Sequence, residues 1–190
     1  MNKENMANRY AGVGYRKTPA TVLMVMKKIG YRLARKGYVL SSGAAEGPDS
    51  TFEAGCDYAK GKKEIWLPWK GFNKHTSQLL PKKKHFKLAE EYHPGWKNMT
   101  PGTKALMARN VGEILGENAD DPVDFVVCYT EDGVEHHSQV TSKSGGTGFA
   151  ISIASRYGIP VFNLRNPEAL SKLKLFLDEY RIFEESTTPS

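Results

Sequence analysis

Apolar residues recur along the chain in two rhythms: short continuous runs that read as buried strands, and longer stretches spaced at three and four that read as amphipathic helices. Arg9 to Gly14 reads as a strand. From Pro19 to about Lys36, Val22, Val25, Met26, Ile29 and Leu33 share one helical face, with Pro19 in the favoured first turn and Gly37 as the stop. Tyr38 to Ser42 follows as a strand, Asp49 to Lys60 as a helix and Glu64 to Pro68 as an apolar strand. After a long basic connection, Lys84 to Tyr92 and Thr103 to Leu115 are helical in pattern, separated by a Pro/Gly-rich break from His93 to Gly102. Pro122 to Tyr129 carries the run Val123, Phe125, Val126 and Val127 of a buried strand. Gly148 to Tyr157 then reads as a helix, Ile159 to Leu164 as a strand and Pro167 to about Arg181 as a last helix.

Strands alternating with helices demand right-handed crossovers, and hence a mostly parallel sheet covered on both faces. The predicted fold class is α/β and Rossmann-like, with a basic helical insert around residues 70–118. Residues 1–182 read as one such domain and 183–190 as a disordered tail. A chain of 190 residues can bury a sizeable core without disulfides or metals. Cys56 and Cys128 stand far apart with no CxxC and no Cys/His cluster at ligand spacing, so they read as reduced, buried thiols, and no metal is called for. No apolar run approaches the roughly 20 residues of a membrane span and Met1 to Arg9 lacks a signal-peptide core, which points to a cytoplasmic protein without a membrane partner.

Charge sharpens this picture only because it is uneven. The net charge is +6, but Lys60 to Lys87 holds nine lysines and one acid, Glu64, while Asp120 to Glu135 holds six acids and no Lys or Arg. Lys62, Lys63, Lys70, Lys82, Lys83 and Lys84 interleave with Trp66, Trp69 and Phe72, the mixture of cations and flat rings that grips single-stranded nucleic acid. The same stretch also reads as a solvated lysine loop beside core aromatics.

In sheets of this kind ligands bind beyond the carboxyl ends of the strands, so the loops after strands carry the chemistry. Three are rich in small residues. Gly12 to Pro19 sets Arg16 and Thr18 just ahead of a helix N-terminus, where backbone amides and the helix dipole attract anions. Ser41 to Asp49 contains Gly43 and Gly47, which permit close backbone approach, and Asp49, read either as a helix cap or as a partner for a sugar hydroxyl. Glu53, one turn on, shares the face of Asp49. Ser142 to Gly148 forms a third cradle before a helix starting near Phe149, reached through an excursion, Thr130 to Thr141, long enough to act as a lid. Within the insert, Arg109 and Asn110 suit anion and base or ribose recognition, and His93 is a further polar candidate; the plain alternatives are an Arg109 salt bridge and a His93 packed under Trp96. No Walker lysine, HExxH or GxSxG occurs, which excludes a P-loop ATPase, a zincin and an α/β-hydrolase elbow.

The segments GVGYRKTP, SSGAAEGPDSTFEAG and SGGTGFAISIASRYGIPVFNL resemble the SLOG superfamily of Rossmann-like nucleotide-binding domains, and within it the DprA-like DNA recombination-mediator proteins, including short versions encoded by tailed bacteriophages. The resemblance runs from about Tyr10 to Leu164. It implies that Gly14, Arg16, Ser42, Gly43, Gly47 and Asp49 line a phosphate-binding side faced by Gly145, Gly146 and Thr147. Members of the superfamily bind single-stranded DNA, sense nucleotide-derived signals or release a base from a nucleoside monophosphate, and often self-associate, so a homo-oligomer is among the implied partners. The hydrolase members carry PGGxGTxxE, whereas GGTGFAIS here has no acid after Thr147. The reading is therefore a nucleotide- or single-stranded-DNA-binding protein without a cofactor. The alternative is a nucleotide sensor or N-glycosidase, for which Asp49 and Glu53 are the candidate catalytic carboxylates.

Overall fold

The computed structural model describes residues 8–185. Five strands, β1 (Arg9–Gly12), β2 (Val39–Ser42), β3 (Lys63–Ile65), β4 (Phe125–Cys128) and β5 (Val161–Asn163), form one parallel sheet in the order β3-β2-β1-β4-β5. Register is direct: Tyr10 lies beside Leu40 on one side and Phe125 on the other. Six helices, α1 (Ala20–Arg35), α2 (Pro48–Tyr58), α3 (Lys83–Tyr92), α4 (Pro101–Leu115), α5 (Gly145–Arg156) and α6 (Ala169–Glu185), cover it. This is the predicted Rossmann-like architecture. α6 runs through Glu185, across the first residues of the expected tail, and 186–190 lie outside the described residues.

Two cores follow from the period of two along strands buried on both faces. Phe125 and Val127 of β4 point with Tyr10 and Leu40 into a core closed by Met26 and Leu33 of α1, Phe52 and Cys56 of α2, and Leu173 of α6. Val126 and Cys128 point with Ala11 the other way, onto Ala108, Val111 and Leu115 of α4 and Ile151 and Ala154 of α5. Phe125 organises the first core: Tyr10 stacks on it at 5.6 Å, and Tyr38, Phe162 and Phe176 meet it edge-on. Both cysteines are buried free thiols, and burial pushes the Cys128 thiol far above its ordinary range. Among the described residues no helix is long and apolar enough to cross a membrane, and no cluster of ligating side chains is spaced to hold a metal.

The acidic stretch is largely consumed inside the molecule. Asp121 pairs with the buried Arg9 at the amino end of β1, and Asp124 accepts from the Arg9 amide at 2.9 Å. Farther along, the excursion Thr130–Thr141 proves to be fastened rather than a lid. Asn163, fully buried, donates to Thr130 Oγ1 (2.7 Å) and the Val134 carbonyl (2.9 Å) and accepts from the Thr130 and Arg165 amides. Asp132 accepts from Ser144 and Thr141 hydroxyls, and Glu135 from the Asn163 amide, closing the segment from both sides. Each buried donor and acceptor of Asn163 is thereby matched, which is what burying an amide requires.

Helices α1 and α2 pack through glycines. A Cβ on Gly30 would stand 2.6 Å from the Phe52 carbonyl oxygen, and one on Gly55 would overlap the Lys27 carbonyl oxygen. Both obstacles are backbone and cannot rotate away, so Gly55→Ala must force the helices apart. The expected outcome is a loss of about 1–3 kcal/mol in denaturant unfolding, the usual cost of overpacking; an unchanged midpoint would contradict the close contact.

Candidate functional site

β1 hands the chain to α1 on one face of the sheet and β4 hands it to α5 on the other, so a crevice opens between their carboxyl ends. It encloses about 270 Å³ and is lined by Val13, Gly14, Tyr15 and Arg16 after β1, by Ala45, Glu46 and Asp49 after β2, by Leu106, Met107, Arg109, Asn110 and Glu113 of α4, by Gly146, Thr147 and Ala150 of α5, and by Phe72.

Its buried side is ionic. The second half of α4 is buried on every face, which turns Arg109 and, one turn later, Glu113 inward together. Arg109 Nη1 donates to the Gly43 carbonyl at 2.7 Å, stands 3.1 Å from Glu113 Oε1 and reaches Asp49 Oδ2 at 3.5 Å. A side chain on Gly43 would overlap both Arg109 Nη1 and Glu113 Oε1, so the glycine is the slot that admits the guanidinium. Burial raises both carboxyls: Glu113 to about 8, where the charge on Asp49 adds to the effect, and Asp49 to about 6, opposed by Arg109 and by the Ala45, Gly43 and Gly14 amides. Burial thus favours the protonated form of both carboxyls, of Glu113 the more strongly, while the guanidinium between them favours their charge.

The opposite side attracts anions. No side chain caps α5, and Gly146 and Thr147 of its first turn line the crevice, which brings the positive end of the helix dipole to it. Arg16 is exposed across from them. Asn110 Nδ2 donates to the Gly146 carbonyl at 3.1 Å and so ties α4 to this turn. The helix begins at Gly145, so the glycines predicted as loop are its first turn, preceded by a tight turn over Ser142–Ser144.

The crevice thus gathers Gly14, Arg16, Asp49, Arg109, Asn110, Gly146 and Thr147 of the predicted set. Several others build it from behind. Ser42 donates to the Gly12 carbonyl and Thr18 to the Tyr15 carbonyl, each at 2.6 Å. Gly47, at φ 92°, precedes the first turn of α2, and its carbonyl accepts from the Ser50 and Thr51 hydroxyls. Gly145 lies just outside the lining. Glu53 does not join Asp49: it pairs with Lys63 (2.7 Å) and His75 (2.9 Å), so it is no candidate catalytic carboxylate. His93 packs on Phe149 with ring centroids 5.0 Å apart and accepts from the Gly95 amide, away from the crevice.

The lysine–aromatic stretch divides in the same way. Trp66 is 1% exposed, because Gly112 of α4 leaves a slot that its ring fills, and it meets the buried His85 edge-on. It offers no stacking surface. Lys62 and Lys63 lie at the amino end of β3, where Lys63 is held by Glu53 and Asp57. Lys82 pairs with Glu117 just past the end of α4, where Gly116 lies against Arg9 at the amino end of β1, and none of Lys82, Lys83 and Lys84 lines the crevice. Trp69, Lys70 and Lys74 remain exposed on the turn that carries Phe72.

Glu113, which lines the crevice, is absent from the expected set, although its place four residues beyond Arg109 in an apolar helix is a signal for it; Phe72, expected on the lysine–aromatic surface, lines the crevice instead.

No family model matches the sequence, and no curated protein matches it. Among solved structures it is similar to DNA processing protein A from Helicobacter pylori, solved for its single-stranded DNA binding mode, at 16% identity and a TM-score of 0.52 over 89% of this chain and 72% of that one. It is also similar to the Moco carrier protein of Chlamydomonas rheinhardtii at 16% identity, with a TM-score of 0.48 over 92% of this chain and 86% of that one. The likeness to the first is one of fold.

Because Glu113 and Asp49 hold their protons more tightly in the folded chain than in the unfolded one, their contribution to stability is full below about pH 4, the ordinary carboxyl range. It is lost as pH rises through about 6 and then about 8. Glu113→Gln, neutral at every pH, should flatten this loss, giving a higher Tm than the parent at pH 9 and a similar one at pH 5. Parallel Tm curves for the two proteins would refute the protonated Glu113.

Proposed function

We propose that the chain binds single-stranded nucleic acid by holding one nucleotide unit in this crevice. The observation that carries the reading is the polarity of the crevice: uncapped first-turn amides of α5 and the exposed Arg16 on one side, the carboxylate of Asp49 and the amide of Asn110 on the other. A phosphate matches the first side, since helix N-termini and arginine both favour it. Ribose hydroxyls and base edges, which offer donors as well as acceptors, match the second. The fold-level likeness to a protein solved for its binding of single-stranded DNA supports the same class of ligand.

Phosphate contacts make affinity salt-dependent. A labelled 30-nucleotide oligothymidylate should bind at low salt and be released as salt rises, and Arg16→Ala should weaken it several-fold. Gly146→Asp is the sharper variant. Only Met107 Cε, at 3.9 Å, would touch the added Cβ, and an acid in the first turn suits the helix dipole. It should leave the Tm equal or higher while abolishing oligonucleotide binding. Retained binding by Gly146→Asp would refute the phosphate assignment.

The buried pair of Asp49 and Glu113 favours a second reading, in which the crevice takes a free nucleotide and cleaves its glycosidic bond. Asp49 would hold the ribose or stabilise an oxocarbenium-like transition state, and Glu113, kept protonated by burial, would serve as the acid. Incubation with nucleoside monophosphates followed by chromatography decides it: free base supports hydrolysis, and intact nucleotide removes it.

A further inference from the structure

The turn that carries Phe72 is held in a conformation that ordinary residues avoid. Gly71 (φ 77°), Asn73 (φ 49°) and Lys74 (φ 61°) all lie in the left-handed region, so three of four consecutive residues do, two of them with side chains. Such backbone persists only where its surroundings enforce it, and it concentrates at ligand clamps. The enforcement is visible. Asn73 Nδ2 donates to the Ala44 carbonyl at 3.0 Å, on the loop that leads to Asp49, and His75 bonds Glu53 of α2 through Nε2 while its Nδ1 accepts from the Ser77 amide.

The strained turn holds two rings at the crevice. Phe72 lines it, with the Arg109 guanidinium carbon 6.0 Å from the ring centroid. Trp69 meets Phe72 in a T-shaped pair, with ring centroids 5.2 Å apart and planes at 90°. It is 45% exposed, although an indole of this size is ordinarily buried. Lys70 and Lys74 lie exposed on the same turn and form no ion pair among the described residues, unlike Lys63 and Lys82. An exposed indole on a turn with two such lysines, beside the crevice, has the composition of a base-stacking platform on a polyanion's path.

We infer that Trp69 stacks the base of the nucleotide adjoining the one in the crevice, with Lys70 and Lys74 on the intervening phosphates, so that the site is built for a single strand of at least two nucleotides rather than for a free mononucleotide. This rests on the proposed occupancy of the crevice by a nucleotide and extends it by one step along the chain. The ligand it selects is single-stranded, since in a duplex the second base is stacked and paired already.

The test is a length series, thymidine monophosphate, then dinucleotide, then longer oligothymidylates, titrated against the full chain and read by tryptophan fluorescence and by anisotropy of labelled strands. Trp66 and Trp96 are buried, so quenching on binding reports on Trp69. Affinity should rise sharply from mono- to dinucleotide. Trp69→Ala should remove that rise and weaken oligonucleotides by about 5- to 150-fold, the range for one lost stacked base, while leaving monophosphate binding unchanged. Trp69→Phe should restore part of the affinity, which a purely structural role for an exposed side chain would not explain. Oligonucleotide affinity that is unchanged in Trp69→Ala, or equal for mono- and dinucleotide in the parent protein, overturns the stacking step alone. A parent protein that binds no member of the series overturns it together with the reading on which it rests.

Discussion

Everything at the candidate site hangs on one buried guanidinium. Arg109 joins the distant segment after β2, through the carbonyl of Gly43 and Asp49 in the first turn of α2, to Glu113 one turn along its own helix. Taking an arginine out of water is tolerable only with matched partners, and removing one partner of a buried pair typically costs about 3–5 kcal/mol. The absent side chain at Gly43 is the slot that admits this group, and the guanidinium in turn opposes the rise in proton affinity that burial imposes on Asp49 and Glu113. These bonds fix the ionic side of the crevice, and the exposed Arg16 and the uncapped first turn of α5 stand apart from that cluster.

That division explains why a net charge of +6 says little by itself. Many of the charges that dominate the sequence are spent on the fold. Lys63 bridges α2 to β3, Lys82 holds the end of α4, and Asp121, Asp124, Asp132 and Glu135 all satisfy internal groups. The charged side chains that line the crevice are few, Arg16, Glu46, Asp49, Arg109 and Glu113, beside the positive end of the α5 dipole.

The order of elements was legible because strands buried on both faces cannot hide their apolar runs, and because helices between them keep a strict three-and-four spacing. Phe125, Val126 and Val127 announce β4 with no help from context, and Met26, Ile29 and Leu33 announce α1. The small-residue loops after β1 and β2 were legible for a related reason, since a crevice at strand ends needs close backbone approach. Other features depended on tertiary partners and left no local trace. Trp66 looks like a surface ring among lysines until Gly112, some 46 residues on, is seen to leave a slot for it. Glu53 shares a helical face with Asp49 in principle, yet Lys63 and His75 draw it to a different neighbourhood. The length of the Thr130–Thr141 excursion suggests mobility, and only the hydrogen bonds of Asn163 reveal that it is tied. Length and composition constrain a loop's reach; its stiffness is decided by what it bonds to.

The glycine contact between α1 and α2 has a mechanical meaning for the crevice. Backbones touching at Gly30 and Gly55 interlock without side chains that could slide past one another, so the two helices, and the β1–α1 and β2–α2 loops that feed them, form one jaw. The opposing jaw is α4 with α5, joined by Asn110 and belonging to the other core. The two jaws are in turn clamped at the back of the crevice by Arg109, which reaches from α4 to the Gly43 carbonyl and to Asp49 of the first jaw, so the width of the aperture is set by one buried group.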